Sequence, residues 1–270
     1  MISSAKSAEV SKDIFDKYQV IFIPEEHTNK EDHRFQLEVI KYLNWRGHKI
    51  LIAMEMFQQP FQVFLDQYIN CQIGEEEMLK KTEYAKRWGF DPALYRDIWK
   101  FAKEKAIRIV AINISSELVQ KIRNDGLERV RDESLPHPII DQREEEKQKL
   151  RDVLTSHPKV EEKRFFDIQN AWDNGMALAI ARLLEEYPKH KVVVLVGKGH
   201  AEEYDSGIPR RLKILKPGIN IKILKRSQRD FLFSMDFSKG GVKWQGDPEK
   251  KVVLDIRELS FLYQQDSITC

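Results

Sequence analysis

The stretch KVVVLVGKGH at residues 191–200 decides the fold, because it is a continuous apolar run that gives way at once to glycine, lysine and histidine. A run of this kind, rich in β-branched residues, is typical of a parallel strand that is buried on both faces. Three further runs have the same character, at residues 19–23, 49–54 and 108–112. Segments with helical periodicity separate the four runs, so the spacing predicts βαβ units around a central, mainly parallel sheet.

Apolar residues recur at helical spacing in three of the intervening segments and predict amphipathic helices that cover the sheet, at residues 33–45, 94–105 and 165–184. We predict an α/β domain over residues 19–235, with a further strand at 219–224. Within it, residues 128–163 are rich in charge and proline and predict a helical insertion or lid, with a solvated hairpin as the simpler alternative. Turn-forming residues predict a C-terminal β-hairpin extension at 236–270, packed on the same domain.

The charge balance argues against a nucleic-acid partner, because 45 basic residues and 43 acidic residues leave a net charge of only +2. No apolar run approaches the ~20 residues of a membrane span, so no transmembrane segment is expected. Residues 1–12 carry neither an apolar signal core nor a lipoprotein cysteine. We therefore expect a soluble, cytoplasmic protein, or a periplasmic or lipid-anchored one if a signal segment has been removed.

Polar side chains follow each predicted strand. Glu25 and His27 follow the first, Glu55 the second, Asn113 the third and His200 the fourth. Because the carboxyl ends of parallel strands meet at one edge of the sheet, these groups should converge there. His27, Glu55 and His200 are predicted as ligands of a divalent metal such as Mn, Zn or Co. Together with Glu25 they could also perform acid/base catalysis without metal, and the simpler alternative is that each is a structural polar group.

A second group of residues is typical of a haem pocket. Residues 68–99 are rich in aromatic side chains and also hold an arginine that could face a propionate. A tyrosine or histidine between apolar walls is the usual way to hold haem iron. An aspartate beside a tryptophan on the third helix could orient one of the histidines. The predicted cofactor-binding residues are therefore Tyr95, His33, Arg87, Trp172 and Asp173.

Several short motifs occur in a fixed order along the chain: PEEH at 24–27 with a histidine at 33, AMEMF at 53–57, LDQY at 65–68, IVAIN at 109–113, DGL at 125–127, QNAWDNGMA at 169–177, GKGH at 197–200 and GIP at 207–209. Their order resembles the ChaN-like family of haem-binding proteins of bacterial iron uptake. That family belongs to a larger group with the TIKI metalloproteases and the erythromycin esterases. The resemblance extends over roughly residues 19–235, and Pro24 stands where the family usually has glycine.

The resemblance implies an α/β fold with its site at the strand ends, and a protein that binds haem or iron in uptake or handling. Haem would then be the cofactor, with Tyr95 as the axial ligand, and a homodimer is possible. The TIKI proteases and the esterases imply an alternative, a metal-dependent hydrolase that uses His27, Glu55 and His200. A third hypothesis is a non-catalytic interaction domain built on the insertion at residues 128–163.

Overall fold

The computed structural model describes residues 13–155 and 161–229. Its centre is a five-stranded sheet with the order β3-β2-β4-β1-β5, and every neighbouring pair of strands is parallel. This confirms the predicted α/β class and parallel sheet. The strands are β1 (Val20–Glu25), β2 (Ile50–Gln58), β3 (Ile109–Asn113), β4 (Lys191–Gly197) and β5 (Ile221–Ile223).

Helices connect the strands and cover both faces of the sheet. Those in the described ranges are α1 (Lys30–Trp45), α2 (Gln62–Ile69), α3 (Glu75–Lys81), α4 (Tyr84–Arg87), α5 (Arg96–Glu104), α6 (Ser116–Asp125), α7 (Glu144–Leu154), α8 (Glu162–Glu186), α9 (Lys198–Ala201) and α10 (Gly207–Leu215). None of the helices in the described ranges is long and apolar enough to cross a membrane.

Two apolar layers hold the helices to the sheet. Successive residues of a strand point to opposite faces. Ile21 and Ile23 of β1 therefore pack in one layer, with α1, α2 and α5, whereas Val20 and Phe22 pack in the other, with α8 and α10. Since both faces are covered, the strands are almost entirely apolar, and polar side chains are left mainly at their ends.

Two element boundaries differ from the sequence prediction for identifiable reasons. Helix α1 begins three residues early, because the Asn29 side chain caps it by accepting a hydrogen bond from the Glu31 amide at 3.0 Å. Strand β2 continues to Gln58, although its pairing with β4 ends at Met54 and its register against β3 shifts beyond that point. Glu55 therefore lies inside β2, at this irregularity, and not after the end of the strand.

The segment at residues 128–163 contains α7, and α8 already begins at Glu162. Helix α7 packs against α8, so this part of the segment is attached to the domain. The predicted C-terminal hairpin at residues 236–270 lies outside the described residues.

Candidate functional site at the strand ends

The carboxyl ends of β1, β2 and β4 bring together the polar residues that follow the predicted strands. Glu25 at the end of β1 is the register partner of Gly197 at the end of β4. The Gly197 amide donates a hydrogen bond of 2.7 Å to Oε2 of Glu55 on β2. Asn113 at the end of β3 donates from Nδ2 to the Glu55 carbonyl at 3.1 Å. The expected convergence at one edge of the sheet is therefore present.

Glu25 is a buried carboxylate at the centre of a dense hydrogen-bond cluster. Its Oε1 accepts from Nδ1 of His27 at 3.0 Å and from the hydroxyl of Tyr95 at 2.5 Å, and its Oε2 accepts from Nε2 of Gln36 at 2.7 Å. Burial by itself would raise the pKa of Glu25, but hydrogen bonds from His27 and His33 outweigh it and lower the pKa to about 2. Glu25 is thus an ion at neutral pH.

His33 is the cationic partner of Glu25. Its Nε2 lies 3.0 Å from the carbonyl oxygen of His27 and must donate to it, while its Nδ1 lies 3.4 Å from Oε2 of Glu25. Both ring nitrogens thus face acceptors, which only the protonated ring can satisfy. Burial opposes protonation, but the bond and the charge of Glu25 raise the pKa of His33 above its ordinary value. His33 has no nitrogen left to bind a ligand.

His27 is the histidine that retains a free nitrogen. Because Glu25 is ionised, Nδ1 of His27 carries the proton of their shared bond, and Nε2 has no partner among the described residues. The side chain is 30% exposed. The rings of Trp88 and Phe90, both half-buried, contact it with centroid distances of 4.7 Å and 4.9 Å.

Gly197 is required by the position of His27. A Cβ atom at residue 197 would lie 2.7 Å from Cε1 and 3.0 Å from Nε2 of the His27 ring, and 3.6 Å from Oε2 of Glu55. Any other residue would push the imidazole away. The backbone of Gly197 thus approaches a side chain of the same protein closely.

His200, on α9, is fixed by two carboxylates. Its Nδ1 lies 2.7 Å from Oδ1 of Asp173, and its Nε2 lies 3.4 Å from Oε1 of Glu55. Burial would lower the pKa of His200, but Glu55 and Asp173 raise it to about 9. His200 is therefore a cation at neutral pH.

The predicted metal set does not form a compact ligand cluster. Within the described residues, one candidate ligand atom each from His27, Glu55 and His200 cannot be chosen so that all three lie within 4.8 Å of one another. Asp13, Asp16 and His48 do meet this criterion, near the amino ends of β2 and β4. Nε of Arg46 donates to Oδ2 of Asp13 at 3.2 Å, however, so a cation already occupies that carboxylate. The metal site formed by His27, Glu55 and His200 stays a prediction.

Residues 13–212 match the family described as haem-binding uptake, Tiki superfamily, ChaN. The chain belongs to the ChaN family. The resemblance drawn from the motifs is thereby confirmed over most of the chain.

A solved structure of a ChaN protein agrees with this assignment at the level of the fold. ChaN of Campylobacter jejuni, whose structure is described as cofacial haem binding, shares 20% identity over 77% of this chain and 81% of its own, with a TM-score of 0.60. A mutant of the erythromycin esterase EreC shares 14% identity over 78% of this chain and 70% of its own, with a TM-score of 0.47. No curated protein matches.

In this ChaN-family chain, Tyr95 is fully buried and its hydroxyl donates to Glu25, so its role as an axial ligand stays a prediction. Burial raises the pKa of the phenol far above its ordinary value. Tyr95 instead orients the carboxylate that holds His27.

Arg87 is likewise committed to protein partners. Its two terminal nitrogens donate to the carboxylate of Glu117 at 3.0 Å and 2.7 Å, and its Nε donates to Glu83 at 3.0 Å. A propionate would have to displace these carboxylates. Trp172, by contrast, packs edge-on against the His200 ring with a centroid distance of 6.2 Å, and Asp173 binds that ring as predicted for a residue that orients a histidine.

Sequence reasoning missed three residues that complete the site. Gln36 lies on the buried face of α1 and donates to Glu25. Arg211 and Glu146 form a buried ion pair behind Asp173. The sequence does contain a signal for Arg211, because it occupies the apolar face of α10, where an arginine requires a buried carboxylate.

Proposed function

We propose that this ChaN-family protein binds haem at the open edge of the sheet, with Nε2 of His27 as the axial ligand. The observation that carries the proposal is the free nitrogen of His27, which is partly exposed while the opposite nitrogen is fixed by Glu25. Histidines that bind metals in proteins commonly donate their other ring N–H to a carboxylate, which fixes the tautomer and makes the ligand more basic.

The surroundings of His27 are suited to a porphyrin. Trp88 and Phe90 flank the imidazole and provide aromatic surface beside it. The ion pair between Glu25 and His33 is buried, and its carboxylate also holds the His27 ring. His27 would hold haem through its imidazole, and the haem would supply an iron atom that binds this ring.

A hemin titration of the purified protein tests this proposal. The wild type is expected to give a shifted Soret band that saturates at a defined stoichiometry, and His27→Ala is expected to bind at least about tenfold more weakly. His190→Ala is the matched control, because His190 precedes β4 at the opposite end of the sheet. Binding of equal affinity by all three proteins, or no Soret shift at all, would overturn the proposal.

A second candidate function is favoured by the different surroundings of His27 and His200. His27 donates one ring nitrogen to the ionised Glu25 and has no partner for the other among the described residues, while His200 is protonated between Glu55 and Asp173. A neutral imidazole and an imidazolium are the usual partners in acid/base hydrolysis. We infer that the same site could hydrolyse an ester or amide without metal, with His27 as the base and His200 as the acid.

Hydrolysis of p-nitrophenyl acetate and of labelled casein tests the second candidate. Activity should survive EDTA, and His27→Gln and His200→Gln should each lower kcat by about 100-fold or more, with His190→Gln as the control. Activity that EDTA abolishes would favour the metal-dependent mechanism instead, and the absence of any turnover would remove this candidate.

A further inference from the structure

Arg211 is a fully buried guanidinium that links His200 to the insertion helix α7. Its Nη1 lies 3.4 Å from Oδ2 of Asp173 and 3.0 Å from Oε1 of Glu146 on α7. Its Nη2 donates to Oδ1 of Asn170 at 2.7 Å. A buried cation is stable only when carboxylates neutralise it, so Glu146 and Asp173 share its charge between them.

Glu146 is a buried carboxylate that joins α7 to α10 as well as to Arg211. Its Oε1 also accepts from the amide of Gly207, the first residue of α10, at 3.0 Å. Its Oε2 accepts from the Arg143 amide at 2.9 Å and lies 3.3 Å from Nη1 of Arg210. Every oxygen of Glu146 is therefore engaged, and its position fixes the position of Arg211.

The two carboxylate oxygens of Asp173 face different partners, His200 and Arg211. Its Oδ1 binds Nδ1 of His200 at 2.7 Å, and its Oδ2 faces Arg211. If Glu146 were removed, Asp173 would have to balance the charge of Arg211 without it. The guanidinium would then draw the Asp173 carboxylate away from His200. The positive charge of Arg211 would also disfavour protonation of His200, because the negative charge of Glu146 would no longer compensate it.

A second contact ties the same insertion to α8 beside Asp173. The side chain of Asn174 accepts from the Ile140 amide at 2.8 Å and donates to the Ile140 carbonyl at 3.1 Å. The insertion is therefore attached before α7, at Ile140, and within its first turn, at Glu146. Asn174 is connected to His200 through Asn170, Arg211 and Asp173.

We propose that Glu146 is a positioning residue for His200, acting through Arg211 and Asp173, so that the site is complete only when the insertion helix α7 is docked. The proposal rests on the function proposed for His200, although its test does not need activity. The charged groups that face His200 are Glu55 from β2, Asp173 from α8 and Arg211 from α10.

The test is a pH titration of the histidine ring signals by NMR, with the His200 signal assigned from His200→Gln. Arg211 lowers the pKa of His200, so Glu146→Gln, which removes the compensating charge, is expected to lower that pKa by about 0.5 to 1 unit. Glu145→Gln is the matched control, because Glu145 is the exposed neighbour on the same helix and should leave the titration unchanged.

Glu146→Asp provides a milder variant in case Glu146→Gln does not fold. Aspartate keeps the negative charge, but its shorter side chain moves that charge away from Arg211. The pKa of His200 should therefore shift in the same direction by a smaller amount. A folded Glu146→Gln or Glu146→Asp protein with the wild-type titration of His200, or an equal shift in Glu145→Gln, would overturn the proposal. Since this measurement is independent of turnover, failure to detect hydrolysis would not affect it.

Discussion

The imidazole of His27 lies directly against Gly197, close enough that a Cβ atom at residue 197 would come within 2.7 Å of the ring. The two residues belong to different strand ends and are brought together by the parallel pairing of β1 with β4. The His27 ring can thus occupy this position only because residue 197 has no side chain.

Gly197→Ala should therefore displace His27 while the sheet remains intact. We expect hemin affinity to fall by about tenfold, because the ligand no longer occupies the position that Glu25 fixes. Gly199→Ala is a stringent control, since a Cβ at residue 199 meets nothing within 4 Å. Hemin titration and thermal unfolding of the two variants distinguish a local displacement from a global loss of stability.

Tyr95→Phe should reduce stability without abolishing hemin binding. It removes a buried hydrogen bond to an ionised carboxylate, which costs about 1.5 to 3 kcal/mol. Tyr84→Phe is the matched control, because the hydroxyl of Tyr84 is buried and has no hydrogen-bond partner among the described residues. Urea unfolding measures the stability of both variants, and hemin titration measures their binding. A Tyr95→Phe variant with wild-type stability and no Soret shift would instead support Tyr95 as the ligand.

Glu25 should make the protein sensitive to acid. Its pKa is about 2 in the folded protein and higher in the unfolded chain, so the stability that it contributes is present at neutral pH and is lost as the pH falls from about 4.5 towards 2. Glu25→Gln should be less stable at neutral pH by about 3 to 5 kcal/mol, because it leaves His33 buried without a counter-ion.

Glu26→Gln controls for the charge change, because Glu26 is the exposed neighbour of Glu25. Urea unfolding at pH 7 and pH 4 is the measurement. Equal stability of Glu25→Gln and Glu26→Gln at pH 7 would contradict the buried ion pair.

His200 should make the protein sensitive to alkali. Because its pKa is raised to about 9 from 6.5, its contribution is fully present below pH 6.5 and is lost as the pH rises through 9. The loss amounts to at most about 3 kcal/mol for a shift of this size. Replacing His200 by glutamine should remove this pH-dependent stabilisation. The difference in unfolding free energy between wild type and His200→Gln should therefore shrink from pH 6 to pH 9.5. A constant difference would mean that His200 is neutral in the folded protein.

The location of the site could be predicted from the sequence, because buried parallel strands are continuous apolar runs and their polar ends are conspicuous. That reasoning selected Glu25, His27 and His200 at the ends of β1 and β4, and it also selected Asp173, which lies within hydrogen-bond distance of His200. It placed Glu55 after its strand, because the irregularity of β2 beyond Met54 leaves no mark in hydrophobic periodicity. It also selected Tyr95 as a ligand, because an aromatic position does not show whether its hydroxyl faces solvent or a buried carboxylate.

The sequence by itself determined the α/β class, the parallel strands and the edge of the sheet at which polar groups collect, because these depend on local patterns of apolar residues. Only the tertiary structure decided which nitrogen of which histidine is free. That depends on contacts between residues distant in the chain, such as Tyr95 with Glu25 and Gly197 with Glu55. Proton positions and charge states follow from these contacts, since burial and hydrogen bonding, and not residue type, set the pKa of each group.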